Sequence, residues 1–337
     1  MPAVPRIRAS SNRSAPCHLR LKFDKVTKPL KIAIIGAGIT GLYLAWKLSE
    51  KGHKVSVFER KEKIGKEVCS GLISERILDF IPESEKLILN KINYPFIYFP
   101  RRTLKVNFSK PFLILNHFEL DNLVANLARE KGTEIFLKQE INSIPEGFDK
   151  IIGCDGANSF IRRELKLSEP KFQLGIQGFI EKEDYSNFVE TWPTKSGFIW
   201  RIPRGKEIEY GIVAKPKEAR KIFEEFLNKN NLNLKNIRSA VVPQSLIIPS
   251  NSRITLCGDA AGLTKPWSSG GVIWGLTVAD ILLKSFPDFL RYKKRAKRFL
   301  FPRIIFSKIA RKSIYFVGFN FPWILPQNYR IDGDFLL

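Results

Sequence analysis

Ile-Ile-Gly-Ala-Gly-Ile-Thr-Gly at residues 34–41, with Glu59 closing a second apolar run, decides the fold. Lys31–Ile35 predicts a short buried strand and Leu42–Lys51 a helix after it. Between them Gly36 permits a tight turn, Gly38 leaves no side chain in the way of a pyrophosphate, and Gly41 lets the helix pack on the strand. The phosphates of a dinucleotide would meet free N–H groups and the positive end of the helix dipole. Val55–Phe58 predicts the next strand, and Glu59 at its end is placed to accept hydrogen bonds from a ribose. The glycines alone are a weak signal. Flanked by strand, helix and a terminal acid they are a strong one.

The chain has 337 residues, 44% of them hydrophobic, which supports a sizeable core in two domains or one large interleaved one. Its 56 basic and 33 acidic side chains give a formal charge of +23. That charge says nothing of fold but favours anionic partners: a membrane surface, an acidic protein or a polyanion. Nucleic acid is the weakest of these, since no nucleic-acid module accompanies the charge. Cys17, Cys69, Cys154 and Cys257 form no Cys-x-x-Cys pair, and His18, His53 and His117 are isolated. A reducing compartment and no structural metal are therefore expected. No uninterrupted apolar run reaches the ~18 residues of a membrane span; the nearest, Ser313–Pro326, carries Asn320 and Pro322. Residues 1–29 hold Arg, Lys, Ser and Pro with Asp24 as the sole acid. They read as a transit peptide, a disordered basic arm or an over-long start, and are left out of the fold. The localisation expected is cytoplasmic, with a peripheral membrane position and organellar targeting both left open.

Further along, strands are expected at 96–99, 104–108, 135–137 and 150–153, and a helix at 119–131. Residues 173–214 form a second β-rich block, followed by a helix at 216–228, a strand at 253–257 and a helix near 271–284. Strands alternate with helices in the outer parts and cluster in the middle, which argues for an α/β nucleotide domain with an inserted β-sheet domain. Two more segments carry chemistry. Ile151–Arg163 ends a strand in Asp155-Gly156 before a turn and a helix. Ile254–Gly275 delivers Gly258-Asp259 from a strand end towards a helix start at Gly270-Gly271. An acid there can hold ribityl hydroxyls, and free N–H groups can stabilise a reduced flavin ring or a pyrophosphate.

Together these segments resemble the FAD-dependent oxidoreductases of the p-hydroxybenzoate hydroxylase-like fold. More narrowly the chain resembles the geranylgeranyl reductase family, including archaeal digeranylgeranylglycerophospholipid reductases. Lys-Glu-Val-Cys-Ser-Gly-Leu-Ile-Ser at 66–74 is similar to the family's Cys-x-Gly segment beside the flavin. Residues 258–272 resemble its Gly-Asp-Ala-Ala-Gly segment, and Gly-Phe-Ile-Trp-Arg-Ile-Pro at 197–203 its lipid-cavity motif Pro-x-x-Tyr-x-Trp-x-Phe-Pro. The stretch from Arg330 through Ile-Asp-Gly-Asp-Phe-Leu resembles a C-terminal family element. The chain departs from the motif at Lys195, Phe198 and Ile202, and keeps Trp200 and Pro203. His117 stands where relatives often have Arg.

The resemblance implies a Rossmann-like FAD-binding domain (30–92 with 116–170 and 250–285), an interleaved β-sheet substrate domain (93–115 with 171–249) and a basic, helical C-terminal region (286–337). It implies FAD held by Gly36, Ala37, Gly38, Thr40, Gly41, Glu59 and Arg60 at the ADP end. Cys69, Ser70, Gly71, Asp155, Gly156, Gly258, Asp259, Gly270, Gly271 and Val272 would hold the rest. Phe198, Trp200 and Pro203 would bind substrate. The activity implied is reduction of isoprenoid C=C bonds by reduced flavin, with Cys69 a candidate for a catalytic role and no proton donor named. Only one dinucleotide fingerprint is present, so NAD(P)H binds transiently or a ferredoxin supplies the electrons. Two other readings stand beside it: a monooxygenase of the same fold acting on a small aromatic, and a non-catalytic membrane-associated flavoprotein.

Phe289–Ile331 contains eleven Lys or Arg and no Asp or Glu. Before Pro302, Tyr292, Ala296, Phe299 and Leu300 share one helical face; after it, Phe301, Ile305 and Ile309 do. Such a segment suits an anionic membrane surface, a basic face packed on the protein's own core, or an acidic electron carrier.

Overall fold

The computed structural model describes residues 28–65 and 68–334. Residues 1–27 of the basic N-terminal stretch, Lys66 and Glu67 of the Cys69 segment, and residues 335–337 lie outside the described residues.

Five strands form an all-parallel sheet in the order Ile254–Leu256, Lys150–Gly153, Lys31–Ile35, Lys54–Phe58, Glu134–Phe136. Both faces are covered, which is why the central strand Lys-Ile-Ala-Ile-Ile is a continuous apolar run rather than an alternating one. The helix Ile39–Glu50 lies on this sheet with ten of its twelve residues buried, so it is an interior helix. It starts three residues before the expected Leu42, because Gly38 already serves as its N-cap.

The second layer is an eight-stranded mixed sheet. Its order is Lys235–Gln244, Lys171–Ile180, Ile208–Ala214, Phe198–Pro203, Phe188–Pro193, Tyr94–Phe99, Arg102–Phe108, Asn328–Ile331. Helix Pro216–Lys229 covers part of one face by setting Ala219 and Phe223 against Ile176, Ile199 and Ile212. Two segments pair outside the groupings expected for them, Phe112–Leu115 and Asn328–Ile331. Phe112–Leu115 falls inside the 93–115 segment, yet it pairs with Leu72–Ser74 and Ile88–Ile92 in a separate three-stranded sheet. All four of its side chains are buried, so it takes a partner on each edge rather than serving as an outer strand.

The C-terminal region is dominated by one helix, Phe289–Asn320, which runs through Pro302. Its first half is held in the main core by Phe289, Tyr292, Ala296 and Leu300, and the Tyr292 hydroxyl donates to the Leu256 carbonyl at 3.0 Å. No helix among the described residues is long and apolar enough to cross a membrane. Beyond the helix, Asn328–Ile331 adds to the edge of the eight-stranded sheet, parallel to Arg102–Phe108.

The chain then turns inward at Asp332-Gly333-Asp334. Asp334 is fully buried; Lys265 Nζ donates to its Oδ1 at 3.0 Å and Arg76 Nη1 to its Oδ2 at 2.9 Å. Trp274 Nε1 donates to its backbone carbonyl at 2.9 Å, and Arg76 also pairs with Asp332. Burial alone would raise the Asp334 carboxyl, but the Lys265 charge, the Ser74 hydroxyl and Arg76 outweigh it and hold it below its ordinary value. Asp334→Ala leaves two buried cations short of their shared anion and should cost about 3–5 kcal/mol in urea unfolding at neutral pH. A carboxylate whose pKa is depressed on folding stabilises above its unfolded value, and that contribution is lost as pH falls through the folded value. The gap between wild type and Asp334→Ala should therefore shrink towards acid. A loss under about 1 kcal/mol, well below the range for a broken buried pair, would show that the clamp is not buried in solution.

Candidate active site

Four parallel strands end side by side, and each delivers a residue singled out in the sequence. Gly36 follows Lys31–Ile35, Glu59 follows Lys54–Phe58, Asp155 lies just beyond Lys150–Gly153, and Gly258-Asp259 just beyond Ile254–Leu256. Strand order reverses about the central strand, and ligands of open α/β sheets bind at such a switch point.

Gly36 has φ +103°, and a Cβ there would lie 2.4 Å from the Cys154 carbonyl oxygen, so only glycine lets the two strand ends meet. Gly41 does the same for the helix, since its Cβ would lie 2.2 Å from the Gly36 oxygen. Gly38 is different: nothing lies within 4 Å of where its Cβ would be. The helix it caps has no side-chain cap and no acid in its first turn, so its N–H groups face an open cradle. Glu59 is fixed at the rim of this cradle, its Oε2 accepting from the Ala37 N–H at 2.8 Å and its Oε1 from the Lys61 N–H at 3.0 Å.

A second uncapped helix start lies across the cavity, where Gly271 precedes Val272–Leu283. Thr40 stitches the two together: Cβ atoms at Gly258 and Gly275 would meet its Oγ1 at 2.9 and 2.8 Å. Asp155 spends one oxygen on the Ile161 N–H at 3.1 Å, while its buried Oδ1 has no hydrogen-bond partner among the described residues. Two uncapped helix starts, an empty cradle at Gly38 and a buried acceptor at Asp155 fit a flavin dinucleotide. Gly36, Gly38 and Glu59 would meet its ADP half, and Asp155, Asp259 and Gly271 the rest.

One cavity of about 1280 Å³ joins this cradle to a chamber against the eight-stranded sheet. Among the residues predicted for cofactor, Ala37, Thr40, Arg60, Cys69, Ser70, Gly156, Gly270 and Val272 also line it. Gly41 and Gly71 stand behind the lining: a Cβ at Gly71 would meet the Leu115 carbonyl oxygen at 2.0 Å. Phe198 and Trp200 both face the chamber, their ring centroids 5.8 Å apart. Pro203 does not reach it: it ends the strand in a buried position and its carbonyl accepts from Asn90. Ile202 lines the chamber instead.

Behind the chamber is a buried polar cluster that sequence reasoning missed. Trp200 Nε1 donates to Glu209 Oε1 at 2.9 Å, and Arg204 Nη1 donates to Glu209 Oε2 at 3.1 Å. A Cβ at Gly211 would come within 2.3 Å of the Trp200 ring, so glycine there makes room for the indole. Burial pushes the Glu209 carboxyl up to about 7 against the opposing pull of Arg204 and Trp200. The signal available was an acid inside the otherwise apolar strand Ile-Glu-Tyr-Gly-Ile-Val-Ala. His117, expected as an isolated surface or packing residue, is buried, and its Nε2 lies 3.4 Å from Asp121 Oδ1. Both line the cavity beside Cys69, whose Sγ accepts from the Gly71 N–H at 3.5 Å. Burial opposes protonation of His117, but the Cys69 and Asp121 charges outweigh it and push the imidazole up to about 10.

Comparison with known proteins bears on the fold. Residues 34–79 match the model of the NAD(P)-binding Rossmann-like domain. Over 286 residues the chain is 23% identical to digeranylgeranylglycerophospholipid reductase 1 of Methanococcoides burtonii, covering 72% of this chain and 70% of that one. Its backbone superposes with a TM-score of 0.72 on a geranylgeranyl bacteriochlorophyll reductase-like protein from Thermoplasma acidophilum, at 16% identity and covering 85% and 88% of the two chains. A variant of the halogenase PltM in complex with FAD superposes with a TM-score of 0.66, at 15% identity and covering 87% and 78%. The fold is shared with these solved structures, one of which holds FAD. In sequence the chain is similar to digeranylgeranylglycerophospholipid reductases, as its motifs indicated.

A histidine whose pKa is raised on folding stabilises fully below its ordinary value of 6.5, and loses that contribution as pH rises through about 10. The stability difference between wild type and His117→Gln should therefore narrow as pH is raised across this window in denaturant titrations. A difference that widens would show that His117 is neutral in the folded protein.

Proposed function

We propose that this protein is an FAD-dependent reductase that saturates C=C bonds of a geranylgeranyl-type isoprenoid lipid. The observation that carries the reading is the continuity of the cavity. It runs from the Gly38 cradle to an apolar chamber lined by Phe198, Trp200, Ile202 and Val189, and exceeds the ~300–1,000 Å³ of a single small-ligand pocket. There is room for a dinucleotide and a second, apolar ligand end to end.

FAD, when bound and reduced, would supply the hydride to one alkene carbon, and a proton relayed from solvent would complete the adjacent carbon. The chain's own residues do the rest. Gly36, Gly38 and the first-helix N–H groups would hold the pyrophosphate, and Glu59 would accept from the ribose. The Gly271 helix start favours negative charge at the ring end. Trp200, held by Glu209, and Phe198 exclude water and fix the prenyl chain, because an unactivated alkene reacts only when positioned closely in a dry site. Phe198 offers no hydroxyl where the family motif has Tyr, so it positions by shape alone. NAD(P)H or a ferredoxin would be the electron donor. A lipid-bearing membrane surface and an acidic electron carrier are the partners consistent with the substrate and the basic charge.

Gly38→Val tests the cradle. The Cβ of a valine there would meet no protein atom within 4 Å, so the fold should be unchanged while flavin content falls at least about ten-fold through loss of the pyrophosphate contact. Full flavin occupancy in that variant would remove the dinucleotide assignment. The reaction is tested by anaerobic single turnover, with chemically reduced protein mixed with a geranylgeranyl phospholipid and followed by flavin absorbance and lipid mass. Flavin reoxidation with gain of two hydrogens per bond is expected. A flavin that stays reduced until air is admitted, with unchanged lipid, turns the reading towards the monooxygenase.

A further inference from the structure

The long helix Phe289–Asn320 changes character at Pro302. Before it the apolar face is buried in the core, as the packed reading of the segment expects. Beyond it Phe301, Ile305, Ile309 and Phe316 are 60%, 43%, 59% and 63% exposed. Their spacings of four, four and seven residues place them on one side of the helix. The surface continues past the helix end, where Phe321 lies 6.0 Å from Phe316 and 5.8 Å from Trp323 between ring centroids. Of the seventeen large apolar side chains exposed on the described residues, ten lie between 301 and 324, and eight of these, all but the cavity-lining Phe306 and Ile314, form a patch rather than a scatter. Lys308 and Lys312 stand exposed beside the stripe, and no acid occurs from Phe289 to Ile331.

The other side of the same helix is a wall of the cavity, through Phe306, Ala310, Arg311, Ile314 and Tyr315. One helix therefore carries an outward apolar stripe and an inward cavity lining back to back.

We propose that this half-helix and the turn after it dock on an anionic phospholipid bilayer. The stripe sinks into the acyl boundary, the lysines stay at headgroup level, and the helix lies in the plane of the membrane. No helix among the described residues is long and apolar enough to cross, which leaves an in-plane position. A second copy of the chain would bring its own unrelieved cations against these, and like charges at an interface cost several kcal/mol. An acidic protein would answer the lysines but leave the apolar stripe without a partner. A bilayer answers both. The docked helix brings the cavity wall to the lipid, so a prenyl chain can enter sideways without crossing water; this second half rests on the reductase reading, the docking half does not.

The test is co-sedimentation of the full chain with vesicles of saturated phosphatidylcholine, and with vesicles of saturated phosphatidylcholine and phosphatidylglycerol in equal parts. Saturated lipids offer no reducible bond, so binding is read independently of catalysis. The protein should pellet with the anionic vesicles at least about ten-fold more tightly than with the neutral ones. Basic charge elsewhere on the chain also attracts these vesicles, so the variants decide. Lys308→Gln with Lys312→Gln should weaken binding about thirty-fold, at ~1 kcal/mol per cation near the surface. Ile305→Ser with Ile309→Ser should weaken it at least about ten-fold. Unfolding midpoints should not move, because these side chains are exposed. Failure to pellet, binding that neither variant changes, or a dimer in light scattering that the variants split into monomers each overturns the proposal. Vesicle binding without reduction of any isoprenoid lipid removes the reductase reading and leaves docking. Reduction of detergent-dispersed lipid without vesicle binding does the reverse.

Discussion

The contact on which the rest depends is backbone against backbone. Gly36 and the Cys154 carbonyl approach so closely that no side chain fits between them. This lets two neighbouring parallel strands end level with one another at the switch point of the sheet. Everything that gathers around the cradle is positioned by that approach: Glu59 from the next strand, Asp155 from the one opposite, and Thr40 pinned between Gly258 and Gly275. Steric permission from glycine costs a little conformational entropy in folding and leaves a concave row of amide donors.

Around this rigid floor the polar groups are arranged with opposite electrostatic outcomes. Asp334 sits between Lys265 and Arg76, and attraction wins over desolvation, so its charge is retained. Glu209 faces one arginine and an indole in a fully buried strand position, and desolvation wins, so it titrates near neutrality. His117 has two negative neighbours, and attraction wins again. The difference lies in the number and sign of partners each buried group can reach, since burial penalises all three.

Much of the floor was legible in the sequence because its signals are local. Gly36, Gly38, Gly41 and Glu59 lie within one strand-helix-strand unit, and the structure puts them at one strand-end cluster as their spacing required. Asp155 and Asp259 were readable as strand ends before turns. The chamber was only partly legible. Phe198 and Trp200 share a face by the two-residue period, but that period cannot say that Pro203 turns away or that Glu209 lies behind the indole. His117 shows the limit most clearly. Its environment is made by Cys69, far away in the chain, and by Asp121 one helical turn on, and no pattern around His117 announces the first of these. The long helix was readable as two halves about Pro302, but which half meets the core depends on where the strand at Leu256 ends.

The inward turn at Asp334 has a consequence for how the protein is made. Arg76 waits 258 residues for the carboxylate that neutralises it, and Lys265 waits 69. During synthesis from the N-terminus, the dinucleotide floor is assembled long before this latch exists. Until the latch arrives, both cations are better left in water, and the cavity wall at Lys265 lacks the ion pair that fixes it. Closing so distant a pair is an entropically slow event, which places completion of the chamber among the last steps of folding. A nascent chain paused before this turn would present a formed nucleotide cradle beside an unsealed apolar chamber, the kind of surface that chaperones and stray hydrophobic partners engage.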